Sequence, residues 1–547
     1  MDKLYIGIRA EDKSYWERRT PIPPHDCKYI MEKHPQIQMV VQPSTKRIFT
    51  DEQYLEVGCL VQEDLSQCKG IVCIKEIPLD KYIEGMTYLH WSHTIKAQPH
   101  NMPALDMMLK KNIRHLDYER IYDEKGVNTT AFPYAGIAGI ITFLNEYGKY
   151  LLKRDIATPF LQIGPTYQYF NKKDAYQALS VAGQAIQERG LPKEAGLPII
   201  IGVLGSTGLC GKGSMEALSN LHVTLVKPSE LKELVNTPND PKHRKTVYVC
   251  PFKTTDLVRH QEDYDKEFTS SDYYNHPNQY TPVFHTKYLP YLTIIVNDIY
   301  WDHKFPRYIT NSQMRDLVQS GKSRLQAVCD VTCDMEGSIQ FLKKYTTPDN
   351  PVYFYEPISE SIHDEFDAKS PKDIMYMSID FLPSQLPYDA SIDFGIALRD
   401  IVPHLAYSDS NKPLEESGLP VFLQNATITL HGQLTHKFQY ITHLRNINDQ
   451  LKEAESFQPK KALKKIPSYL AIRLTGHLFD TGAINKILSV VQSGCKFNIV
   501  DIQAGQSDNQ QTSCLLQLYS KNKGQLMDEV DKVIQLCETL DIQVETE

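Results

Sequence analysis

LPIIIGVLGSTGLCGKGSMEALSNLHVTLV, residues 197–226, decides the fold class. An apolar, β-rich run enters a glycine-rich turn, SMEALSNL can continue as a helix, and HVTLV forms a second strand. Glycines in such a turn let the backbone bend sharply and approach a pyrophosphate, whose charge sits against helix N-terminal amides. The pattern Gly205-x-x-Gly208-x-x-Gly211-x-Gly213 is one residue longer at its start than the usual G-x-G-x-x-G. Its strand–turn–helix–strand context is that of a dinucleotide site, with Gly205, Ser206, Thr207, Gly208, Leu209, Cys210 and Gly211 as the cofactor loop. An NAD site places an acid after the second strand to hold the ribose 2′-hydroxyl. Here Leu225 and Val226 lead into Lys227, with Ser229 nearby, a pair suited to a 2′-phosphate. NADP (as NADPH) is therefore expected over NAD.

Outward from this unit, short apolar runs alternate with helical patterns: LYIGI, QMVVQ, GIVCIK and TYLHWSH before it, LTIIVNDIYW, LQAVCDVTC and PVYFYEP after it. That alternation is α/β, with largely parallel, doubly wound Rossmann-like sheets. The apolar stretch from Tyr134 to Lys153 reads as a buried helix, either a connector between domains or an ordinary core helix. Asp174 is placed to cap the next helix and Gly190 to end it. Polar breaks at 407–418 and 453–468 read as linkers. Beyond the second, YLAIRL, a helix after Asp480, KFNIVDIQ, TSCLLQLYS and a helix over 525–540 make a β-α-β-β-α series, a small α+β ferredoxin-like unit.

The chain has 547 residues, 41% hydrophobic and 23% charged, with formal charge −8. No apolar run approaches the ~20 residues of a membrane span, and dispersed Lys and Arg under a net negative charge argue against nucleic acid. Eleven cysteines without a CxxC read as reduced core thiols, neither a disulfide frame nor a metal site. MDKLYIGIRAEDK offers no signal or transit pattern, so the expectation is a cytoplasmic enzyme acting on small molecules, with mitochondrial as the alternative.

The chemistry-bearing residues cluster at strand ends: Glu17-Arg-Arg19-Thr-Pro21, then Lys75-Glu-Ile-Pro78, then Ser92-His93-Thr-Ile-Lys96-Ala-Gln98. A guanidinium suits a carboxylate, and a Lys with a His suits proton transfer. Together with D-Y-E at 117–119, A-G-x-A-G at 135–139 and S-I-D-F-L-P-S-Q-L-P at 378–387, these motifs resemble lysine-ketoglutarate reductase. That activity is the saccharopine-forming half of aminoadipic semialdehyde synthase, related to fungal saccharopine dehydrogenase and to alanine dehydrogenase. The resemblance covers residues 1 to about 450 in order. Arg473-Leu-Thr-Gly476-His-Leu-Phe-Asp480 resembles the extra module of plant-type lysine-oxoglutarate reductase/saccharopine dehydrogenase proteins.

The resemblance implies two alanine dehydrogenase-like domains: a substrate domain from 1–140 and 335–405, and a dinucleotide domain inserted at 141–334. Residues 406–467 would connect them to the module at 468–547. Lys75 and His93 match the acid/base pair, Arg19 a carboxylate grip, Lys96 and Gln98 substrate contacts, and Glu119 a cleft acid. Asp334 matches an acid beside nicotinamide and substrate, Asp330 is structural, and Cys210 is a packing residue within the cofactor loop. Where relatives carry Arg after the D-Y-E loop glycine, this chain has Asn128, which supplies no charge-assisted pair.

The implied reaction is NADPH-dependent condensation of L-lysine with 2-oxoglutarate to saccharopine. The implied partners are those small molecules, with self-association and a separate saccharopine-oxidising enzyme compatible with it. The alternatives are an NAD-dependent saccharopine dehydrogenase or relative acting on another amine or oxo acid, and a non-catalytic metabolite-binding protein. Joint presence of Arg19, Lys75, His93 and Asp334 argues against the last, since a sensor has no need of the proton-transfer pair.

Overall fold

The computed structural model of the chain describes residues 3–262, 267–366, 372–446, 468–478, 483–494, 496–503, 512–520, 523–540 and 542–546. The chain divides into two compact units, Met1–Asp449 and Gln450–Glu547.

The larger unit contains two eight-stranded sheets. In the first, the spatial order is Gln433–Leu434, Thr427–Leu430, Arg114–Leu116, Thr87–Leu89, Gly70–Val72, Leu4–Ile8, Ile37–Val41, Leu60–Val61. From Arg114–Leu116 to Leu60–Val61 every pairing is parallel. The three strands from Gly70–Val72 to Arg114–Leu116 are buried at every residue, as expected of strands covered on both faces. Parallel pairing brings the loops that leave Ile8, Val72, Leu89 and Leu116 to one sheet edge. Ligands of open α/β sheets bind outside such carboxyl ends.

The second sheet runs Ser361–His363, Val352–Glu356, Ile374–Met377, Ala327–Asp330, Ile294–Asn297, Ile199–Leu204, Val247–Phe252, Thr224–Leu225. All six residues of Ile199–Leu204 are buried, and its parallel neighbours are Ile294–Asn297 and Val247–Phe252.

The domain boundaries differ from expectation. Residues 335–405 do not return directly to the first domain, because Val352–Glu356 and Ile374–Met377 continue the second sheet. Tyr353, Tyr355 and Tyr376 bury in its core. The return comes with the Pro387–Leu398 helix, whose Phe394 and Leu398 pack with Ile6, Ile8 and Leu89. Residues 406–467 are likewise more than a connector, since Thr427–Leu430 joins the first sheet beside Arg114–Leu116. The break at 407–418 is largely irregular, with one short 3-10 turn, and the break at 453–468 lies outside the described residues except for Ser468, which begins a strand.

The Tyr134–Leu152 helix is a core helix of the second domain, crossing the glycine-loop helix Leu209–Ser219 at close range. A Cβ on Gly136 would stand 2.0 Å from the Cys210 carbonyl oxygen, and one on Gly213 2.2 Å from that of Pro133. Glycine is thus required at both positions of the crossing. The next helix, Lys172–Arg189, is capped by Asn171, not Asp174: the Asn171 side chain accepts from the Asp174 amide at 3.0 Å.

The smaller unit is a four-stranded antiparallel sheet in the order Lys496–Gln503, Thr512–Ser520, Ser468–Gly476, Gln543–Thr546. Helices Ala483–Gly494 and Lys523–Thr539 complete a βαββαβ ferredoxin-like fold. Its last strand, QVET, is too short and polar to register as a strand by pattern.

Candidate active site

The loop after Leu4–Ile8 carries Arg19 and its partner. Glu17 accepts from Arg19 Nε at 2.8 Å and Nη2 at 2.6 Å, a bidentate pair in which both residues are 3% exposed. Burial alone would raise the Glu17 carboxyl, but the Arg19 guanidinium and Lys75 hold it below the ordinary range. The same loop sends Glu11 to the neighbouring strand end, where Oε1 accepts from Ile74 N at 2.5 Å and Oε2 from Lys75 N at 3.1 Å. Burial and the charge of Glu17 push the Glu11 carboxyl up to about 7.

His93 sits between two carboxylates. Its Nδ1 lies 2.8 Å from Glu119 Oε1, and its Nε2 3.9 Å from Glu76 Oε1. Its backbone is left-handed, with φ of 53°, a costly conformation for a residue with a Cβ. The turn is fixed from outside: Asn101 Nδ2 donates to the His93 carbonyl at 2.9 Å, and buried Asp117 accepts from Ser92 N at 3.0 Å and Ser92 Oγ at 2.6 Å. Burial raises Glu119, but its bond to His93, with Lys96 and Arg120 beyond, brings it below the usual carboxylate range. Glu76 is lowered in the same way, Lys75 and His93 outweighing burial. Lys75, His93, Glu76, Glu119, Glu17 and Arg19 therefore form one charge network along one sheet edge.

The second sheet presents its own carboxyl ends. Gly205 ends Ile199–Leu204 with φ of 77°, and a Cβ on Gly211 would stand 2.2 Å from the Gly205 carbonyl oxygen, so the helix starts tight against the turn. At Gly208 a Cβ would meet Gly205 O alone, at 3.3 Å, leaving a face open to a ligand. This cradle fits a pyrophosphate. Ser206 Oγ donates to Phe252 O at 3.1 Å. Cys210 is half-buried, and burial pushes its thiol up to about 12. Lys227 and Ser229 are exposed after Thr224–Leu225, and Glu230 accepts from Lys227 N at 2.6 Å. An acid does stand at this strand end, three residues beyond Lys227.

Asp330 is fully buried and accepts from Tyr376 Oη at 2.6 Å, Thr332 Oγ1 at 2.8 Å, and Asn297 Nδ2 and Cys333 N at 3.1 Å each. Asp334 is half-buried, and burial, moderated by Lys96, raises it to about 7. The two sheet edges meet across the cleft. Lys96 Nζ lies 5.0 Å over the Tyr300 ring, and Trp16 Nε1 donates to Asp349 Oδ2 at 3.3 Å. Asp380, in the 378–387 motif, is raised by desolvation and lowered by Lys75, which places that loop at the lysine. Gln98 is exposed, and its Oε1 accepts from Asn101 Nδ2 at 3.4 Å. Asn128 is committed to its loop, donating to Tyr118 O and accepting from Thr130 N, each at 2.9 Å.

Glu11, Glu76, Asp298, Tyr300 and Asp380 join the site without having been singled out by sequence. Asp298 follows Ile294–Asn297 directly, accepts from Ser214 Oγ at 3.1 Å, and is pushed up to about 7 by burial. An acid immediately after a parallel strand was the available signal for it, and adjacency to Lys75 was the signal for Glu76.

Residues 7–138 match the alanine dehydrogenase/PNT N-terminal domain, and residues 470–546 the LOR/SDH bifunctional enzyme conserved region. Over 546 residues the chain is 34% identical to an alpha-aminoadipic semialdehyde synthase of Arabidopsis thaliana, covering 97% of this chain and 50% of that protein. The chain is homologous to alpha-aminoadipic semialdehyde synthase. A Bos taurus protein, named alpha-aminoadipic semialdehyde synthase, mitochondrial, is 33% identical over 536 residues, 93% of this chain and 56% of that one. The chain thus spans about half the length of these synthases. A saccharopine dehydrogenase [NAD(+), L-lysine-forming] of Emericella nidulans is 26% identical over 405 residues, covering 72% of this chain and 90% of that protein.

Proposed function

We propose that this chain is a lysine-ketoglutarate reductase, condensing L-lysine with 2-oxoglutarate and reducing the resulting imine to saccharopine. The observation that carries the reading is the carboxylate-flanked His93 beside Lys75 and Arg19, on an edge that meets the glycine-loop domain through Lys96 and Tyr300. Residues 1 to about 133 with 387–446 would bind substrates, and 134–386 the nucleotide.

In this reading Glu17 orients the Arg19 fork, whose remaining nitrogen meets a substrate carboxylate. Asn128 is committed to its loop, so the exposed Lys96 ammonium supplies charge for a second carboxylate. His93, its ring fixed through Nδ1 by Glu119, takes the proton that the lysine ε-amine must lose before attacking the keto carbon. Lys75 gives a proton to the carbinolamine hydroxyl, which leaves as water. The nicotinamide, when bound, supplies the hydride that reduces the imine carbon. Asp334, near enough to Lys96 to feel its charge, would border a nicotinamide held by the glycine loop, and closure of the cleft would keep water from the imine.

Lys227 and Ser229 support NADPH as cofactor. Glu230, held on the Lys227 amide, is the observation that keeps NADH as the second reading. The mitochondrial name of the bovine relative supports the mitochondrial alternative for this chain. The deciding assay is oxidation of NADPH and NADH with L-lysine plus 2-oxoglutarate, each substrate omitted in turn. NADPH oxidation that needs both substrates is the expected result; absence of turnover with either cofactor overturns the reading. Lys227→Ala should weaken NADPH binding while leaving NADH binding unchanged.

A further inference from the structure

Glu11 takes part in none of the proton steps above, yet it is a tightly held carboxylate at the site. It is 6% exposed. It spans two consecutive amides of the neighbouring strand end, Ile74 N at 2.5 Å and Lys75 N at 3.1 Å. Each amide meets a different oxygen, so a carboxylate serves both, whereas a carboxamide would turn its NH2, a donor, toward one of them. Burial and Glu17, a second buried carboxylate on the same loop, disfavour its charged form, whereas the two amides and Arg9 favour it. Arg9 and Arg19 from its own loop also face it, as do Cys73 and Tyr118 from the adjoining strand ends. A segment needing just a structural plug would be better served by a neutral side chain in such surroundings.

We propose that Glu11 is a positioning residue for Lys75: by bridging the Ile74 and Lys75 amides it fixes where the lysine side chain leaves the strand end. Through its neighbour Glu17, which holds Arg19, it also sets that departure point relative to the substrate-carboxylate grip. The proposal rests on the reading of Lys75 as an acid/base group. Protonation of Glu11 turns one of its two oxygens into a hydroxyl, a much weaker acceptor for the amide it meets, so placement of Lys75 depends on the carboxylate form. Because its carboxyl is pushed to about 7, that form is lost on the acid side of neutrality.

The test uses the full chain with Glu11→Gln, Glu11→Asp and Lys75→Met. Turnover is followed from about pH 6 to about pH 9, alongside NADPH titration by fluorescence and thermal melting. Glu11→Gln should lower kcat about 10- to 100-fold at about pH 8 and leave NADPH affinity unchanged, as expected of a displaced catalytic group. The wild-type-to-variant ratio should shrink toward one at about pH 6, where wild-type Glu11 is itself protonated. A purely structural role would instead give a pH-independent loss that follows the melting temperature. Glu11→Asp keeps the charge but falls a methylene short, so it should lower kcat across the range; it carries the test if Glu11→Gln does not fold. Wild-type kcat in either variant, or a pH-independent ratio for Glu11→Gln, overturns the proposal. Undiminished turnover in Lys75→Met refutes the acid/base reading itself, and the proposal falls with it, a failure distinct from that of the Glu11 variants alone.

Discussion

A histidine fixed through Nδ1 and approached at Nε2 by a second carboxylate is a different reagent from one in water. Glu119 fixes His93 through Nδ1 at 2.8 Å, and Glu76 Oε1 lies 3.9 Å from Nε2. Lys75→Met and His93→Gln should each cut turnover by roughly 100-fold or more. NADPH binding should survive, because neither residue touches the glycine loop; loss of binding in either variant would show that the two edges are coupled before catalysis. Asp298 offers a different test. Its folded-state carboxyl is pushed to about 7 by burial, so the folded chain holds a proton that the unfolded chain releases in the ordinary carboxyl range. Its contribution to stability therefore falls as pH rises through about 7. Asp298→Asn keeps an acceptor for Ser214 and does not titrate. Its melting temperature should gain on the wild type by a few degrees between about pH 5 and about pH 8. An equal difference at the two pH values would mean that Asp298 does not ionise in that window. Lys75, His93 and Arg19 were legible in the sequence because their motifs are contiguous. Glu11 was not, since its role depends on parallel pairing of Leu4–Ile8 with Gly70–Val72, a contact between segments more than sixty residues apart.

At the scale of elements, the alternating apolar runs announced the main parallel strands, and the glycine loop announced where a helix starts against a strand. Other elements escaped pattern reading for physical reasons. Val247–Phe252 contains a proline, and Ile374–Met377 and Thr427–Leu430 are four residues each, too short for periodicity to separate them from loop. These short strands moved the boundary, because pairing partners rather than composition decide which sheet owns a segment. The crossing of Tyr134–Leu152 over Leu209–Ser219 makes a contrast between two glycines. A Cβ on Gly136 meets backbone, Cys210 O at 2.0 Å and Ser214 N at 2.6 Å, and neither can yield without moving a helix. Gly136→Ala should cost about 1–3 kcal/mol of stability by overpacking. Gly208→Ala meets far less protein and should leave the melting temperature nearly unchanged, but weaken NADPH binding about tenfold or more, since its methyl would occupy the pyrophosphate approach. Melting curves and NADPH titrations of the two variants separate the roles; equal destabilisation by both would refute the open face at Gly208.

At the scale of the whole molecule, chemistry and appendage separate cleanly in sequence. Every residue assigned here to catalysis, substrate or cofactor lies within Met1–Asp449, whereas Gln450–Glu547 forms its own compact unit. That unit has its own buried core, with Ile472, Leu474, Leu516, Leu518 and Val533 among its members. Nothing in the proton steps calls on it. Within the larger unit the two sheets have separate cores, and the links between their loops are polar or aromatic contacts such as Lys96 with Tyr300 and Trp16 with Asp349. Such contacts, individually worth about 1 kcal/mol or less at exposed positions, suit a cleft that opens and closes. The chain shortened to residues 1–449 should therefore keep NADPH oxidation with L-lysine and 2-oxoglutarate within about twofold of the full chain, since independent domains fold and act as units. Its melting transition should coincide with one of two transitions of the full chain. A fall in kcat of about tenfold or more with that transition intact would instead make Gln450–Glu547 a regulator of the cleft, because a merely appended domain changes neither the proton-transfer groups nor the closure that assembles them.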